Sequence, residues 1–364
     1  MGALNLKRFL SQIGLAPQKV LGVDIGSSSV KICEFSASKQ SYKLINFAIR
    51  PLPQGAFFED EIQKYDEIVD ILKDLIRESK IKSSYACVGF WGTDVISKLI
   101  KVPSGTKEEI KDEVLWESEQ YIPFDIDDGT LSFDIVGEDK GGGVDVLFVV
   151  AKTESVEKFK TLVEDAGFII KIIDLNQFAL ANLFSHVCRD QLVKSDKPLV
   201  LIDVGANSTN IIIQQGLKLV FNKEIPVGGQ IITDEIQKVT DLEYEQAEDL
   251  KVNGDQNGNI PEEIVKIIDS SLDLLLSKIK KTLDFYMSSV GIDRFGACYL
   301  TGGSSSLPGL SERLRADLGV EILFFNPFDK IDVNEKVFDE DFLSLASSLG
   351  ATAMGLAMRT LDEQ

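Results

Sequence analysis

One pattern occurs twice in this chain, nearly half its length apart. Residues 20–35 read VLGVDIGSSSVKICEF and residues 199–214 read LVLIDVGANSTNIIIQ. In each, an apolar strand runs into Asp-x-Gly, passes small hydroxyl or amide residues, and leaves as a second strand rich in β-branched residues. A repeat of this kind means one structural unit used twice. The expected fold class is therefore α/β, built from a duplicated domain whose halves each open on the same hairpin.

Each half continues in mixed α/β fashion. After the first hairpin come a strand at 41–51, an amphipathic helix at 62–79 with Ile68, Ile71, Leu72, Leu75 and Ile76 on one face, and a buried strand at 85–90. After the second come a strand at 217–225, a helix from Gly229, a long helix at 264–289 and a buried strand at 297–301. The stretch from Thr93 to about Asp174 breaks the parallel. It reads strand, helix at 106–120, strand, a glycine-rich turn at 141–143, strand, helix at 153–166 and a last strand FIIKIID. Such a βαββαβ-like run has faces of its own and predicts an inserted α+β subdomain. The expected division is an N-terminal extension at 1–17, a first domain at 18–92 returning at 174–196, the insertion at 93–173, and a second domain at 197–364 with a helical subdomain at 229–295.

Charge narrows the partners. Lys and Arg number 38 against 58 Asp and Glu, for a net charge of -20. A molecule so acidic repels a phosphodiester backbone, so nucleic acid is not an expected partner. The same field acts on a nucleotide tail, which then needs backbone N–H groups and a divalent cation as its neutralisers. The four cysteines (Cys33, Cys87, Cys188, Cys298) form no C-x-x-C pair, and the single histidine is His186. That pattern offers no zinc site, disulfide framework or Cys–His nucleophile. No apolar run approaches the roughly 18 residues of a membrane span, and no signal-peptide core opens the chain, so a cytoplasmic protein is expected. The segment 4–15 is weakly amphipathic through Leu6, Phe9, Leu10 and Ile13. It suits either a membrane or partner contact or a helix packed on the body.

The repeated hairpins are the candidate phosphate loops. The first offers Gly26, Ser27, Ser28 and Ser29, with Lys31 on the outgoing strand; the second offers Gly205, Asn207, Ser208 and Thr209. Glycine at the bend admits a phosphate close to the backbone, and successive N–H groups and hydroxyls donate without needing cations. Asp24 and Asp203, at the strand ends, suit a divalent metal held through water. Either motif alone reads first as an ordinary glycine turn; the pair, in equivalent contexts, points to phosphate. A third element, ACYLTGGSSSLPG, carries an apolar strand into Gly302, Gly303 and Ser304, a flat surface on which a purine and ribose can rest.

Taken in order, these elements resemble the actin, sugar-kinase and heat-shock-chaperone ATPase superfamily. Within it the chain resembles the PilM family of type IV pilus assembly, relatives of the division protein FtsA. The resemblance rests on LGVDIGSSSVKICEF, on ESEQYIPFDIDD at 117–128, on IPVGGQIITDEI at 225–236 and on KTLDFY at 281–286. It implies a duplicated actin-like, ribonuclease H-like fold with ATP and Mg2+ in the interdomain cleft and an FtsA-type insertion. Gly228 and Gly229, and Lys278 and Lys281 on the long helix, join the nucleotide set by the same resemblance, although the lysines equally suit a solvated helix face. The implied partner is the cytoplasmic N-terminal peptide of PilN, an inner-membrane protein, in a groove beside the insertion. Tyr121, Ile122, Pro123 and Phe124 are candidates for that groove, or for packing of the insertion. Pilus motor ATPases and self-association complete the implied partners, with the membrane reached only through the partner. Two other readings stand beside this scaffold role: a phosphotransferase of sugar-kinase type, and a filament-forming division or cytomotive protein.

The chain departs from its relatives at one place. Where they carry an acidic-Pro signature before the second hairpin, this sequence reads IIDLNQFALANLF, with Asn176 and Gln177 at those positions. An amide is no general base. Asp174 lies two residues earlier and need not face the same way, so slow ATP hydrolysis at most is expected.

Overall fold

The computed structural model describes residues 20–360 other than 39, 40, 80, 82, 139, 140, 256 and 257. The extension at 1–17 and the amphipathic segment 4–15 lie outside the described residues. In chain order the strands of the first half are β1 (Leu21–Ile25), β2 (Ser29–Ser38), β3 (Ser41–Pro51), the short hairpin β4 (Phe57–Phe58) and β5 (Glu61–Ile62), and β6 (Tyr85–Phe90). Then follow β7 (Val95–Pro103), β8 (Gly129–Glu138), β9 (Gly143–Lys152) and β10 (Ile169–Leu175). The second half supplies β11 (Leu199–Val204), β12 (Thr209–Gln215), β13 (Lys218–Ile225), β14 (Ala297–Thr301), β15 (Ile322–Phe324) and β16 (Ile331–Asp332).

The duplication is visible in backbone topology. The first sheet runs β10-β6-β1-β2-β3-β16 and the second β13-β12-β11-β14-β15. Read from the hairpin arm, β3-β2-β1-β6-β10 and β13-β12-β11-β14-β15 pair in the same sense, two antiparallel contacts followed by two parallel ones. Register agrees as well, with Asp24 opposite Lys31 in one hairpin and Asp203 opposite Asn210 in the other. β1 is buried over its whole length, as expected of a central strand covered on both faces.

Two helices cross between the sheets. Asn176–Val187 follows β10, yet Leu180, Leu183 and Phe184 share a core with Leu201, Ile212 and Tyr299 of the second sheet. Ala351–Ala357 comes from the second half and lies on β1, so closely that a Cβ on Gly22 would meet Ala353 O at 2.0 Å. At the crossing, a Cβ on Gly355 would stand 2.0 Å from Ala179 O. Each half thus lends a helix to the other. With β16 paired to β3, residues 331–332 and 351–357 join the first sheet, although the sequence places them within the second domain at 197–364. A run as uniformly small and apolar as ATAMGLA carries no mark of which sheet it will cover.

The insertion is shorter than the expected 93–173. β10 pairs in parallel with β6, and the helix Thr153–Asp165 buries Phe159, Leu162 and Val163 in the first domain's core beside Ile68 and Leu72. What stands apart is a three-stranded sheet, β7-β9-β8, with the helix Lys107–Glu119. Its core is Ile100, Val102, Ile110, Val114, Val144, Val146, Phe148 and Val150. Strand alternation gives one buried face but not the identity of the neighbouring sheet. A capping box, Thr106 with Glu109, starts that helix. The segment expected as a helical subdomain at 229–295 folds as the helices Gln230–Thr240, Tyr244–Asn253 and Glu262–Val290.

Candidate functional site

The two repeated hairpins face each other across a cleft of about 1490 Å³ between the domains. They are closed identically: Gly26 N donates to Ser29 O at 3.0 Å and Gly205 N to Ser208 O at 2.9 Å. A Cβ on Gly205 would meet Ser208 O at 2.9 Å, so the turn requires glycine. Asp24, 4% exposed, pairs through Oδ2 with Lys31 Nζ at 3.1 Å, and Lys31 also donates to Ser29 O at 3.3 Å. At the equivalent place Asn210 Nδ2 donates to Asp203 Oδ2 at 3.2 Å. Burial, and then the charge of Asp24, push the Asp203 carboxyl up to about 6, against the lowering effect of the Asn210 bond and of Lys31.

The lining explains what this site wants. Asp24, Asp203, Glu243, Glu245, Glu248, Asp249 and Asp341 all face the cleft, and among the described lining residues Lys31 is the one cation. Two converging carboxylates, one of them held short of full ionisation by its surroundings, favour a hard divalent cation. No group of three or more His, Cys, Asp or Glu side chains converges on one point among the described residues. The donor set therefore fits a hydrated divalent cation held through Asp24 and Asp203, and does not fit an all-protein metal cage.

Most of the expected nucleotide residues come together here. Gly26, Ser27, Ser28, Ser29, Lys31, Gly205, Ser208, Gly302, Gly303 and Ser304 all line the cleft. Gly302 has φ +95°, and a Cβ there would stand 2.4 Å from Val204 O, so the loop is pressed against the end of β11. Gly228 and Gly229 lie behind the second hairpin instead: Gly229 N donates to Gly205 O at 2.9 Å, and a Cβ on Gly229 would meet Ser304 Oγ at 2.0 Å. They are spacers that let a helix start against the loop. Thr209 is fully buried and donates to Val227 O at 2.7 Å, while Asn207 is exposed; neither lines the cleft. Lys278 and Lys281 are exposed on the long helix and do not line it either.

The wall that the sequence did not disclose is the helix Tyr244–Asn253. It presents Tyr244, Glu248, Asp249, Val252 and Asn253 to the cleft. Beneath it Lys251, 3% exposed, donates to Gly229 O at 3.3 Å, Thr233 Oγ1 at 3.0 Å and Glu248 Oε2 at 2.6 Å. A polar helix of ordinary composition gives no sequence signal; only its place after the Gly228–Gly229 helix marks it.

Asn176 heads its helix, is 8% exposed and lines the cleft, and its Oδ1 has no hydrogen-bond partner among the described residues. Asp174 is turned elsewhere, its Oδ2 3.5 Å from Arg359 Nε and its Oδ1 accepting from Leu175 N. Asp174 therefore does not take the place of the amide. His186 packs edge-on against Tyr42, and all four cysteines are buried. Tyr121, Ile122 and Phe124 pack half-buried onto the insertion's own core, with Lys98 Nζ 3.5 Å from the Tyr121 ring centroid, while Pro123 is exposed.

The family model for type IV pilus assembly protein PilM matches residues 22–361. The chain belongs to the PilM family. A solved PilM-PilN type IV pilus biogenesis complex contains a chain similar to this one, 27% identical, with 94% of this chain and 99% of that chain covered and a TM-score of 0.83. The cell division protein FtsA of Enterococcus hirae is 24% identical over 204 residues, which is 50% of this chain and 44% of FtsA. That of Enterococcus faecalis is 25% identical over 236 residues, 58% and 48%. The chain spans about half the length of these curated relatives. EutJ, an ethanolamine utilization protein of Carboxydothermus hydrogenoformans, shares the fold at 16% identity and a TM-score of 0.54, with 98% and 96% covered. The duplicated α/β fold expected from the two hairpins is thus the actin-like one that the family resemblance implies, in its PilM form. Among the described residues no helix is long and apolar enough to cross a membrane.

Proposed function

We propose that this PilM-family chain binds Mg·ATP in its interdomain cleft and acts as a nucleotide-dependent scaffold of type IV pilus assembly. The observation that carries the reading is the convergence of two related hairpins, one from each domain, that bring Asp24, Lys31 and Asp203 together. Backbone N–H groups of both hairpins and the serine hydroxyls of the first would take the phosphates, with Lys31 beside them, and Asp24 and Asp203 would hold Mg2+ through water. Mg2+ supplies the charge neutralisation that the acidic lining lacks. The T-G-G loop and the helix Tyr244–Asn253 enclose the nucleoside.

The partner reading follows from the similar PilM-PilN complex: the cytoplasmic N-terminal peptide of a PilN-type inner-membrane protein binds beside the insertion and thereby tethers this chain to the membrane. Attachment to motor ATPases, and self-association, belong to the same scaffold role. A phosphotransferase is disfavoured, because Asn176, which lines the cleft at the head of its helix, is an amide and cannot serve as a general base.

The test is thermal unfolding with and without Mg·ATP. Ligand at about 100 times its dissociation constant stabilises by roughly 2.7 kcal/mol. Asp24→Ala and Asp203→Ala are each expected to lose most of the shift. Wild-type shifts in both variants would show that the nucleotide binds elsewhere.

A further inference from the structure

The two hairpins differ in what stands opposite the aspartate. In the first it is Lys31, with Nζ 3.1 Å from Asp24 Oδ2; in the second it is Asn210, with Nδ2 3.2 Å from Asp203 Oδ2. A lysine can only donate, whereas an amide donates from one end and accepts at the other. Asn210 therefore has two ways to meet Asp203, and with its oxygen forward it repels the carboxylate. Something must choose between them.

Gln177 makes the choice. It is the second residue of the helix Asn176–Val187, is 4% exposed, and donates from Nε2 to Asn210 Oδ1 and to Glu224 Oε2, each at 3.0 Å. With its oxygen engaged by Gln177, the buried Asn210 has only its nitrogen left to turn toward Asp203. Gln177 is fixed in the same way one step further out. Its Oε1 is buried without a hydrogen-bond partner among the described residues, and turning the amide over would set that oxygen against two acceptors. The far end of the row is Glu224 on β13, which also accepts from the Ser208 hydroxyl and the Gly92 backbone. Burial, and then the charge of Asp60, lift the Glu224 carboxyl above its ordinary range, while these three donors act to lower it. A carboxyl met by donors alone is an acceptor, so the direction of each bond from Glu224 to Asp203 is set from that end.

The same carboxyl turns Ser208, which lines the cleft. A hydroxyl has one proton to donate; given to Glu224, it leaves only lone pairs for a ligand. The second hairpin thus offers acceptors at both Asp203 and Ser208, whereas the first carries the cation Lys31.

We propose that Gln177 is a positioning residue for the metal side of the cleft: backed by Glu224, it holds the Asn210 amide nitrogen toward Asp203 and keeps the second hairpin an acceptor for a divalent cation held through water. The repeat is thereby divided, with the Lys31 hairpin facing phosphate and the Asn210 hairpin facing the cation. The inference rests on the cleft reading above.

A double-mutant cycle on the full chain, read by calorimetric titration with Mg·ATP, tests it. Gln177→Glu replaces the donor with an acceptor, so Asn210 turns its nitrogen to the new carboxylate and its oxygen to Asp203. A loss of affinity of about tenfold or more is expected, the scale of a misdirected hydrogen bond to a charged group. The new negative charge also repels Mg·ATP directly, and a second background isolates that contribution. With Asn210→Leu there is no amide to turn, and Gln177→Glu is expected to change affinity by no more than about threefold. Gln177→Met, uncharged and of similar shape, runs the same cycle should the carboxylate unfold the protein; its expected loss is about threefold beside Asn210 and none beside leucine. Thermal unfolding without ligand shows which variants are folded. Equal losses in the two backgrounds overturn the proposal, as does wild-type affinity in Gln177→Glu. Absence of Mg·ATP binding in the wild type, or binding unchanged in both Asp24→Ala and Asp203→Ala, removes the cleft reading itself, and the proposal falls with it.

Discussion

Asp203 shows what burial in the cleft costs a carboxylate. Its carboxyl is raised to about 6 from 3.8, chiefly by burial. A folded-state value above the unfolded one means that folding favours the protonated form. The associated stability is complete below about pH 3.8 and is lost as pH rises through about 6. In ligand-free protein, Asp203→Asn is therefore expected to match wild type near pH 4 and to exceed it above pH 6, by up to about 3 kcal/mol. Urea unfolding at both pH values reads this directly. The same substitution is expected to lose the Mg·ATP shift, since the amide cannot take the metal's waters as a carboxylate does. No stability gain at pH 7 would mean that Asp203 is not held in an unfavourable field. Asn176 sets a second expectation at this scale. With no base in its place, phosphate release by the wild type should stay far below the roughly 10 per second of a median enzyme. Asn176→Glu is expected to raise it, as measured by phosphate release under saturating Mg·ATP. Turnover near the enzyme median in the wild type would revive the phosphotransferase reading.

At the level of elements, the hairpins were legible and the crossing helices were not. A hairpin writes its function locally: strand, Asp-x-Gly, hydroxyls, strand, all within sixteen residues at 20–35. The order of the sheets follows from that repeat. By contrast, the exchange of Asn176–Val187 and Ala351–Ala357 between halves is decided by packing partners outside each helix's own sequence neighbourhood, as far apart as Gly22 and Ala353, and the end of the insertion by which sheet β10 joins. Lys278 and Lys281 illustrate a further limit, because helical spacing places them on one face without saying whether that face lines the cleft or meets solvent, and it meets solvent. The crossing makes its own demand on sequence. With 2.0 Å between a Cβ at 355 and Ala179 O, Gly355→Val forces the two helices apart. A destabilisation at or above the roughly 1–3 kcal/mol of ordinary overpacking is expected, because the obstacle is backbone and cannot rotate away. Denaturant unfolding measures it; a change within about 0.5 kcal/mol, as at an ordinary surface site, would show that the helices do not pack at this distance.

For the whole molecule, charge decides how the site can be used. A net charge of -20 surrounds the cleft with a field that repels ATP, and the lining adds seven carboxylates against Lys31. Lys31 is itself engaged by Asp24 at 3.1 Å. Free ATP must then enter against both the local and the long-range field, whereas Mg·ATP brings part of its neutralisation with it. The long-range part is screened over about 10 Å at 0.1 M salt, but the carboxylates in direct contact with the ligand are not. Calorimetric titration of the full chain with ATP in EDTA is therefore expected to give little or no binding at low ionic strength and only a partial recovery as salt is raised. Adding Mg2+ should restore saturable binding at either ionic strength. Equal affinity with and without the divalent cation would mean that the phosphates never approach Asp24 and Asp203, and that the hairpins, for all their symmetry, hold something other than a metal nucleotide.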